Sequence, residues 1–289
     1  MVKVCPETYQ SECAEKYQQY FDIFPYELSG FQKYAIEGIV EGNHVLVTAH
    51  TGSGKTLPAE FAIQYFKEKG KRIIYTSPIK ALSNQKYYEF TRKYPDITFG
   101  LLTGDIKTNP DADVLIMTTE ILMNYLFMQT NKNTDEQKIS SLSFQIDLQT
   151  ELGCVIFDEV HYINDQDRGQ VWEKTILMLP EHIQMVMLSA TIDNPKGFAT
   201  WVEERFVPRH PPVYSSEDEE WNSIELVDTG LTVDELLNNP EKLEGIEVPL
   251  RSDLVPKKKV YLSSTNHRVV PLTHYGFLTT SEAIFKVVK

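Results

Sequence analysis

Two short runs carry residue types whose spacing points to chemistry. The first is Ala49-His50-Thr51-Gly52-Ser53-Gly54-Lys55-Thr56, which follows the apolar run His44 to Thr48 and opens a segment of helical period. That strand, loop and helix order is what a phosphate-binding loop requires. Its glycines let backbone N–H groups turn onto phosphate oxygens, and the helix N-terminus adds the positive end of its dipole. Lys55 then reaches the outer phosphates, and Thr56 offers a hydroxyl to Mg²⁺. Position 49 is Ala where the general pattern has Gly. The second run, Asp158-Glu159-Val160-His161, comes directly after the apolar Cys154 to Phe157. A carboxylate at the end of a buried parallel strand is held at the sheet's carboxyl edge, the edge from which the first loop also emerges. There Asp158 holds the metal, usually through water, and Glu159 polarises an attacking water. Two acids after a strand also serve as caps for a following helix. The phosphate loop favours the other reading, a site of nucleoside-triphosphate hydrolysis.

The elements that must position these runs alternate between short β-rich segments and longer segments of helical period, the pattern of an α/β domain around a mostly parallel sheet with helices on both faces. Strands are expected at 44–48, 72–76, 98–102, 113–117, 154–157 and 185–188, each short, apolar and bounded by turn or polar residues. Helices are expected at 55–69, 81–93, 120–128 and 169–179, with stops at Gly70, before Pro95 and at Pro180. The polar stretch 129–143 reads as a surface loop. Four regions follow: an N-terminal lead (1–23), the α/β domain (24–207), an irregular acidic insertion (208–256) and a return to strand-like sequence (257–289). Between Glu217 and Asp253 there are 12 acids against 2 bases, which marks the insertion, and helical character there is confined to about 233–237.

Composition narrows the class. With 42% hydrophobic residues in 289, the chain can bury a substantial core, and no run of about 18 uncharged apolar residues is present to cross a bilayer. The net charge of −13 argues against binding nucleic acid by bulk electrostatics, leaving only a few placed groups for that role. Three cysteines and no apolar leader at Met1 point to an interior, reducing compartment. No metal-ligand spacing links the cysteines with the seven histidines, and His44 and His50, which flank a strand, read as structural.

The ordered runs 49–56, Thr103-Gly104-Asp105, Thr118-Thr119-Glu120, Asp158 to His161 and Ser189-Ala190-Thr191 resemble the motifs of a superfamily 2 DExH-box helicase. Within it, Phe24 to Leu28 before Phe31-Gln32-Lys33, the run 77–86 and above all Asp158 to Gly169 are similar to the superkiller-type (Ski-like) RNA helicases. The resemblance covers about 24–205, and Val269 to Tyr275 resembles the start of the family's link to a second motor domain. It implies a RecA-like P-loop domain using ATP and Mg²⁺, with Gln32 reading the adenine edge and Phe24 near the base. His161, Ser189 and Thr191 would couple the nucleotide to closure against the second domain. Pro78, Lys80, Gly104, Thr118, Thr119 and Glu120 fall where the family lines the backbone of a single strand. By residue type alone, Thr118 to Glu120 serve equally well as the cap of the next helix. Implied partners are single-stranded RNA, with DNA the alternative, a second RecA-like domain and exosome-type cofactors. The implied setting is cytoplasmic, with nuclear relatives sharing most motifs. The implied activity is ATP-driven 3′-to-5′ unwinding. Rivals are a DNA helicase or translocase of the same branch and a non-catalytic nucleotide-bound adaptor.

One departure bears on catalysis. Phosphoryl transfer of this kind draws on arginine fingers worth 10³–10⁵ in rate. The seven arginines include no Arg-x-Gly-Arg pairing. This chain is therefore expected to bind ATP, to hydrolyse it poorly and not to unwind, with residues 257–289 leading towards a second domain outside it.

Overall fold

The computed structural model describes residues 1–10, 14–130, 144–190, 192–205, 258–265, 275–278 and 283–286. Nine strands form one sheet in the order β1-β9-β2-β8-β7-β3-β6-β4-β5. They are β1 (Lys3–Val4), β2 (His44–Ala49), β3 (Arg72–Ser77), β4 (Phe99–Leu102), β5 (Lys107–Thr108), β6 (Val114–Thr118), β7 (Leu152–Phe157), β8 (Gln184–Ser189) and β9 (Val260–Thr265). All pairings are parallel except β4 with β5. A separate antiparallel pair joins β10 (Tyr275–Leu278) and β11 (Ala283–Lys286).

The helices are α1 (Ala14–Phe21), α2 (Gly30–Val40), α3 (Leu57–Glu68), α4 (Lys80–Lys93), α5 (Thr119–Thr130), α6 (Gly169–Met178) and α7 (Pro195–Glu203), with a 3₁₀ turn at Val160–Asn164. The period of two along each strand decides which helices lie on which face. Val45 and Val47 of β2, Tyr75 of β3 and Ile156 of β7 point into a core with Phe31, Ile36, Phe61 and Phe90 of α2, α3 and α4. Leu46, Ile74, Val155 and Phe157 point the other way, onto Leu122, Trp172, Ile176 and Val202 of α5, α6 and α7. Both faces are covered, so the strands read as continuous apolar runs. Emptying one such position, as in Leu46→Ala, costs about 2–5 kcal/mol.

The expected strands and helices are present, with shifts at their ends. The helix after the phosphate loop starts at Leu57, because Lys55 and Thr56 still belong to the loop and Pro58 occupies the first turn. Helix α5 runs to Thr130, two residues into the stretch read as loop. The rest of that loop (131–143) and the acidic insertion (208–256) lie outside the described residues.

Within 257–289, read as strand-like and leading towards a second domain, Val260–Thr265 is a strand of the domain's own sheet, lying between β1 and β2 and hydrogen-bonded along all of β2. Its first four residues are buried, and that apolar surface can be covered only inside the sheet. The N-terminal lead is built in as well. Lys3 Nζ bonds Glu37 at 2.7 Å, Tyr9 bonds Glu37 at 2.8 Å and Tyr17 bonds Glu41 at 2.6 Å, fastening the lead to α2. Among the described residues no helix is long and apolar enough to cross a membrane.

Candidate active site

The loop after β2 turns where the glycines allow it. Gly52 and Gly54 have φ of +83° and +84°, the left-handed region that side chains disfavour. Gly54 has a second reason to be glycine: a Cβ there would stand 2.7 Å from Gln32 Nε2. Ser53 Oγ donates to the His50 carbonyl at 2.7 Å, closing the turn from within. The Thr56 hydroxyl makes no capping bond to α3, so it is not spent on the helix.

The chain after β7 turns just as sharply. Glu159 adopts φ +50° and ψ +49°, a conformation that costs a non-glycine residue about 1–3 kcal/mol. It is over-determined by its neighbours. Asp158 N–H donates to Thr76 O at 2.9 Å, Glu159 N–H donates to Asp158 Oδ1 at 3.0 Å, and Tyr162 N–H donates to Glu159 O at 3.1 Å. The Tyr75 hydroxyl donates to Asp158 Oδ2 at 2.6 Å, so both carboxylate oxygens are oriented. Burial raises the Asp158 carboxyl above its ordinary 3.8; the Tyr75 hydrogen bond opposes this, the Glu159 charge adds to it, and Lys55 opposes it again. Tyr75 itself is raised well above 10 by burial and by Asp158, which keeps its hydroxyl a donor.

The two turns meet. Lys55 Nζ lies 2.5 Å from Glu159 Oε1, both groups being largely shielded from solvent. The other carboxylate oxygen, Oε2, faces His161 Nδ1 at 3.3 Å, but the geometry is not that of a hydrogen bond, and both atoms are buried with no partner among the described residues. Unsatisfied buried polar atoms are uncommon and mark a place where a further polar group is expected. A free Thr56 hydroxyl, an oriented Asp158 and two orphaned polar atoms beside Lys55 fit a hydrated Mg²⁺ and a triphosphate. Thr56 and Asp158 would hold the metal, which supplies charge neutralisation at the phosphates.

Other expected residues fall into place unevenly. Gln32, expected at the adenine edge, has both ends of its amide engaged: Oε1 accepts from Ser29 N–H at 2.9 Å and Nε2 donates to Gly54 O at 3.2 Å. It thereby ties α2 to the phosphate loop. Phe24 is partly buried and packs against the core cluster, its ring centroid 6.1 Å from that of Tyr26. Ser189 closes β8 opposite Thr48 of β2, at the same sheet edge. Thr191 lies outside the described residues.

The residues expected along a nucleic-acid strand occupy the neighbouring half of that edge, after β3, β4 and β6. Lys80 Nζ pairs with Asp105 Oδ1 at 2.6 Å in solvent, and the Asp105 carboxyl is lowered by that hydrogen bond. Gly104 lies beside Lys80. Pro78 is buried. Thr118 and Thr119 are also buried, and Thr119 Oγ1 has no partner among the described residues, so its hydroxyl is not capping α5. Glu120 forms an ion pair with Arg168. Two structural partners, Tyr75 and Arg168, were not singled out from sequence. A tyrosine on a strand carries no signal of its partner across the sheet, whereas Arg168 sits inside the stretch Asp158 to Gly169 that carries the Ski-like resemblance.

Comparison with known proteins agrees with this geometry. The sequence profile of the DEAD/DEAH box helicase family matches residues 29–198. The antiviral helicase SKI2 of Saccharomyces cerevisiae is 48% identical over 179 residues, covering 62% of this chain and 13% of that protein. The exosome RNA helicase MTR4 of Homo sapiens is 44% identical over 179 residues, covering 62% of this chain and 16% of that protein. The chain thus matches about 13–16% of the length of these curated relatives. Among solved structures, the DUF1998 helicase MrfA bound to DNA superposes with a TM-score of 0.50 over 70% of this chain and 29% of that one, at 20% identity, a likeness of fold. A RecA-like sheet, a glycine-built phosphate loop meeting the Asp158–Glu159 turn at its carboxyl edge, and a profile match over most of the domain lead to one conclusion: the chain belongs to the DEAD/DEAH box helicase family.

Proposed function

We propose that this chain is the ATP-binding motor domain of an ATP-dependent RNA helicase that unwinds 3′ to 5′. The observation that carries the reading is the Lys55–Glu159 contact at 2.5 Å, which joins the phosphate loop to the acid pair. In this state Lys55 holds the general base. When Lys55 exchanges Glu159 for phosphate oxygens, the carboxylate is freed to accept a proton from water, and His161 stands beside it to sense the change. The 49–56 run holds the triphosphate, and Thr56 and Asp158 hold Mg²⁺. Single-stranded RNA runs along the loops after β3, β4 and β6. RNA is favoured over DNA by the 44% identity to MTR4, an RNA helicase by name. A second RecA-like domain supplies the arginines that complete hydrolysis, so this chain alone binds ATP and turns it over slowly. An exosome-type assembly is the proposed partner, after the name of MTR4. A cytoplasmic setting is in keeping with free, buried Cys5 and Cys154.

The test is a titration of the chain with a fluorescent ATP analogue and Mg²⁺, beside ATP hydrolysis with and without single-stranded RNA or DNA of the same sequence. Lys55→Ala is expected to weaken nucleotide binding at least about a hundredfold, the loss of a charge-assisted contact that also leaves Glu159 unpaired. Glu159→Gln is expected to bind nucleotide and not turn it over. Nucleotide binding that survives Lys55→Ala unchanged would sink the reading.

A further inference from the structure

Arg168 belongs to neither expected set of site residues, yet it joins the two halves of the edge. It is aimed by a tight turn following the 3₁₀ segment. Asp165 Oδ1 accepts from the backbone N–H groups of Asp167 and Arg168 at 3.0 and 2.9 Å, and Gly169 N–H donates to Asp165 O at 2.9 Å. Only glycine fits at 169, where a Cβ would stand 2.2 Å from the Ile163 carbonyl oxygen. The turn sends the Arg168 side chain across the ends of β3 and β6. There its Nη2 donates to the Pro78 carbonyl at 2.6 Å and pairs with the Glu120 carboxylate. Its guanidinium lies 5.7 Å from the ring centroid of the buried Trp172. One cation therefore holds the β3–α4 connection, the first turn of α5 and the segment that carries Glu159. It also neutralises the Glu120 carboxylate.

We propose that Arg168 is a positioning residue for single-strand binding, holding the Pro78 to Lys80 connection against α5 and cancelling the charge of Glu120. Glu120 becomes the partner of Arg168 and not itself a strand contact. The proposal rests on the strand-binding reading above.

The experiment uses the 289-residue chain, a labelled single-stranded RNA oligonucleotide and anisotropy titrations across a salt series, with nucleotide affinity measured on the same samples. Arg168→Gln is expected to weaken RNA binding about tenfold while nucleotide affinity stays within about twofold, as the loss of a charged hydrogen bond away from the phosphate loop implies. Adding Glu120→Gln is expected to recover most of that loss, because the unpaired carboxylate is removed. The slope of log affinity against log salt should be the same for wild type and Arg168→Gln, since the residue does not itself touch phosphate. A slope smaller by about 0.7 would make Arg168 a direct phosphate ligand and overturn the proposal. So would unchanged RNA affinity, or a double variant no better than the single one.

Hydrogen exchange reads the same tie without RNA. The amides of Leu82 and Ser83 donate to Ile79 O at 3.1 and 3.2 Å, just beyond the Pro78 anchor, and should exchange faster in Arg168→Gln. Unchanged exchange there overturns the positioning role whatever the titrations give. Faster exchange in Arg168→Gln, together with a wild-type chain that binds nucleotide but no RNA, removes the strand-binding reading and upholds the tie. If the Gln variant fails to fold, Arg168→Lys keeps the charge near Glu120 and is expected to show a smaller loss of the same kind.

Discussion

Along the carboxyl edge of the sheet, the loop after β2 leaves the Lys55 side chain 11% exposed and the turn after β7 buries Asp158, whereas the loop after β3 leaves the Lys80 side chain 56% exposed. The first half is rigid by construction. Its turns use left-handed backbone at Gly52, Gly54 and Glu159, and its carboxylate is oriented by Tyr75 and by the chain itself. The second half presents an exposed ion pair, Lys80 with Asp105, of the kind that solvent and salt weaken. A buried site must be preorganised, because each unpaired polar atom there is expensive. An edge that meets a polyanion can stay solvated, since its contacts form by exchanging counterions. The difference fits a molecule that holds a small charged ligand tightly and a long one loosely.

If the first half owes its affinity to preorganisation, disturbing its backbone should matter more than any change in the second half. Gly54→Ala adds a Cβ at a φ of +84° and 2.7 Å from Gln32 Nε2, so it strains the loop and displaces the tie to α2. The expected result is about a tenfold loss of nucleotide affinity by fluorescence titration, equivalent to about 1.4 kcal/mol. An unchanged affinity would show that the loop is remodelled by the ligand in any case.

A smaller effect, opposite in sign for stability, is expected at Asp158. Its carboxyl is raised in the fold, so the native state holds the proton more tightly than the unfolded chain. Stability from this group is present below the unfolded value and is lost as pH rises through the folded one. At pH 7 the buried charge is therefore a burden, and Asp158→Asn should unfold at a higher temperature than the wild type. The gain should shrink as the pH is lowered towards 4, and a midpoint that falls instead would mean that the Tyr75 bond outweighs burial.

The smallest effect belongs to the solvated half. Asp105→Asn removes the partner of Lys80 and leaves that ammonium for phosphate, so single-strand affinity should rise about threefold at low salt and lose the gain as salt increases. A gain that persists at high salt would show that this half, too, is organised by something other than charge.

Much of this was legible in the residues. The six central strands are apolar runs bounded by turn signals, and the phosphate loop and acid pair are local patterns whose chemistry requires those types at those spacings. His44, read as structural, is buried, accepts a bond from Met185 N–H at 3.0 Å, and is held neutral by burial. The pairing partners were not legible. Val260–Thr265 carries the same kind of apolar run as the strands before it, and nothing local says that it returns to lie beside β2.

The sequence by itself determined the fold class, the phosphate loop, the acid pair and the family. Each depends on short-range periodicity or on a motif whose residues act within one turn of one another. Tertiary structure alone decided that Lys55 meets Glu159 across 104 positions, that Gln32 braces the phosphate loop, that β9 completes the sheet, and that Arg168 ties Pro78 to Glu120. Those contacts join segments far apart in the chain, and they are set by strand order, which sequence neighbours do not encode.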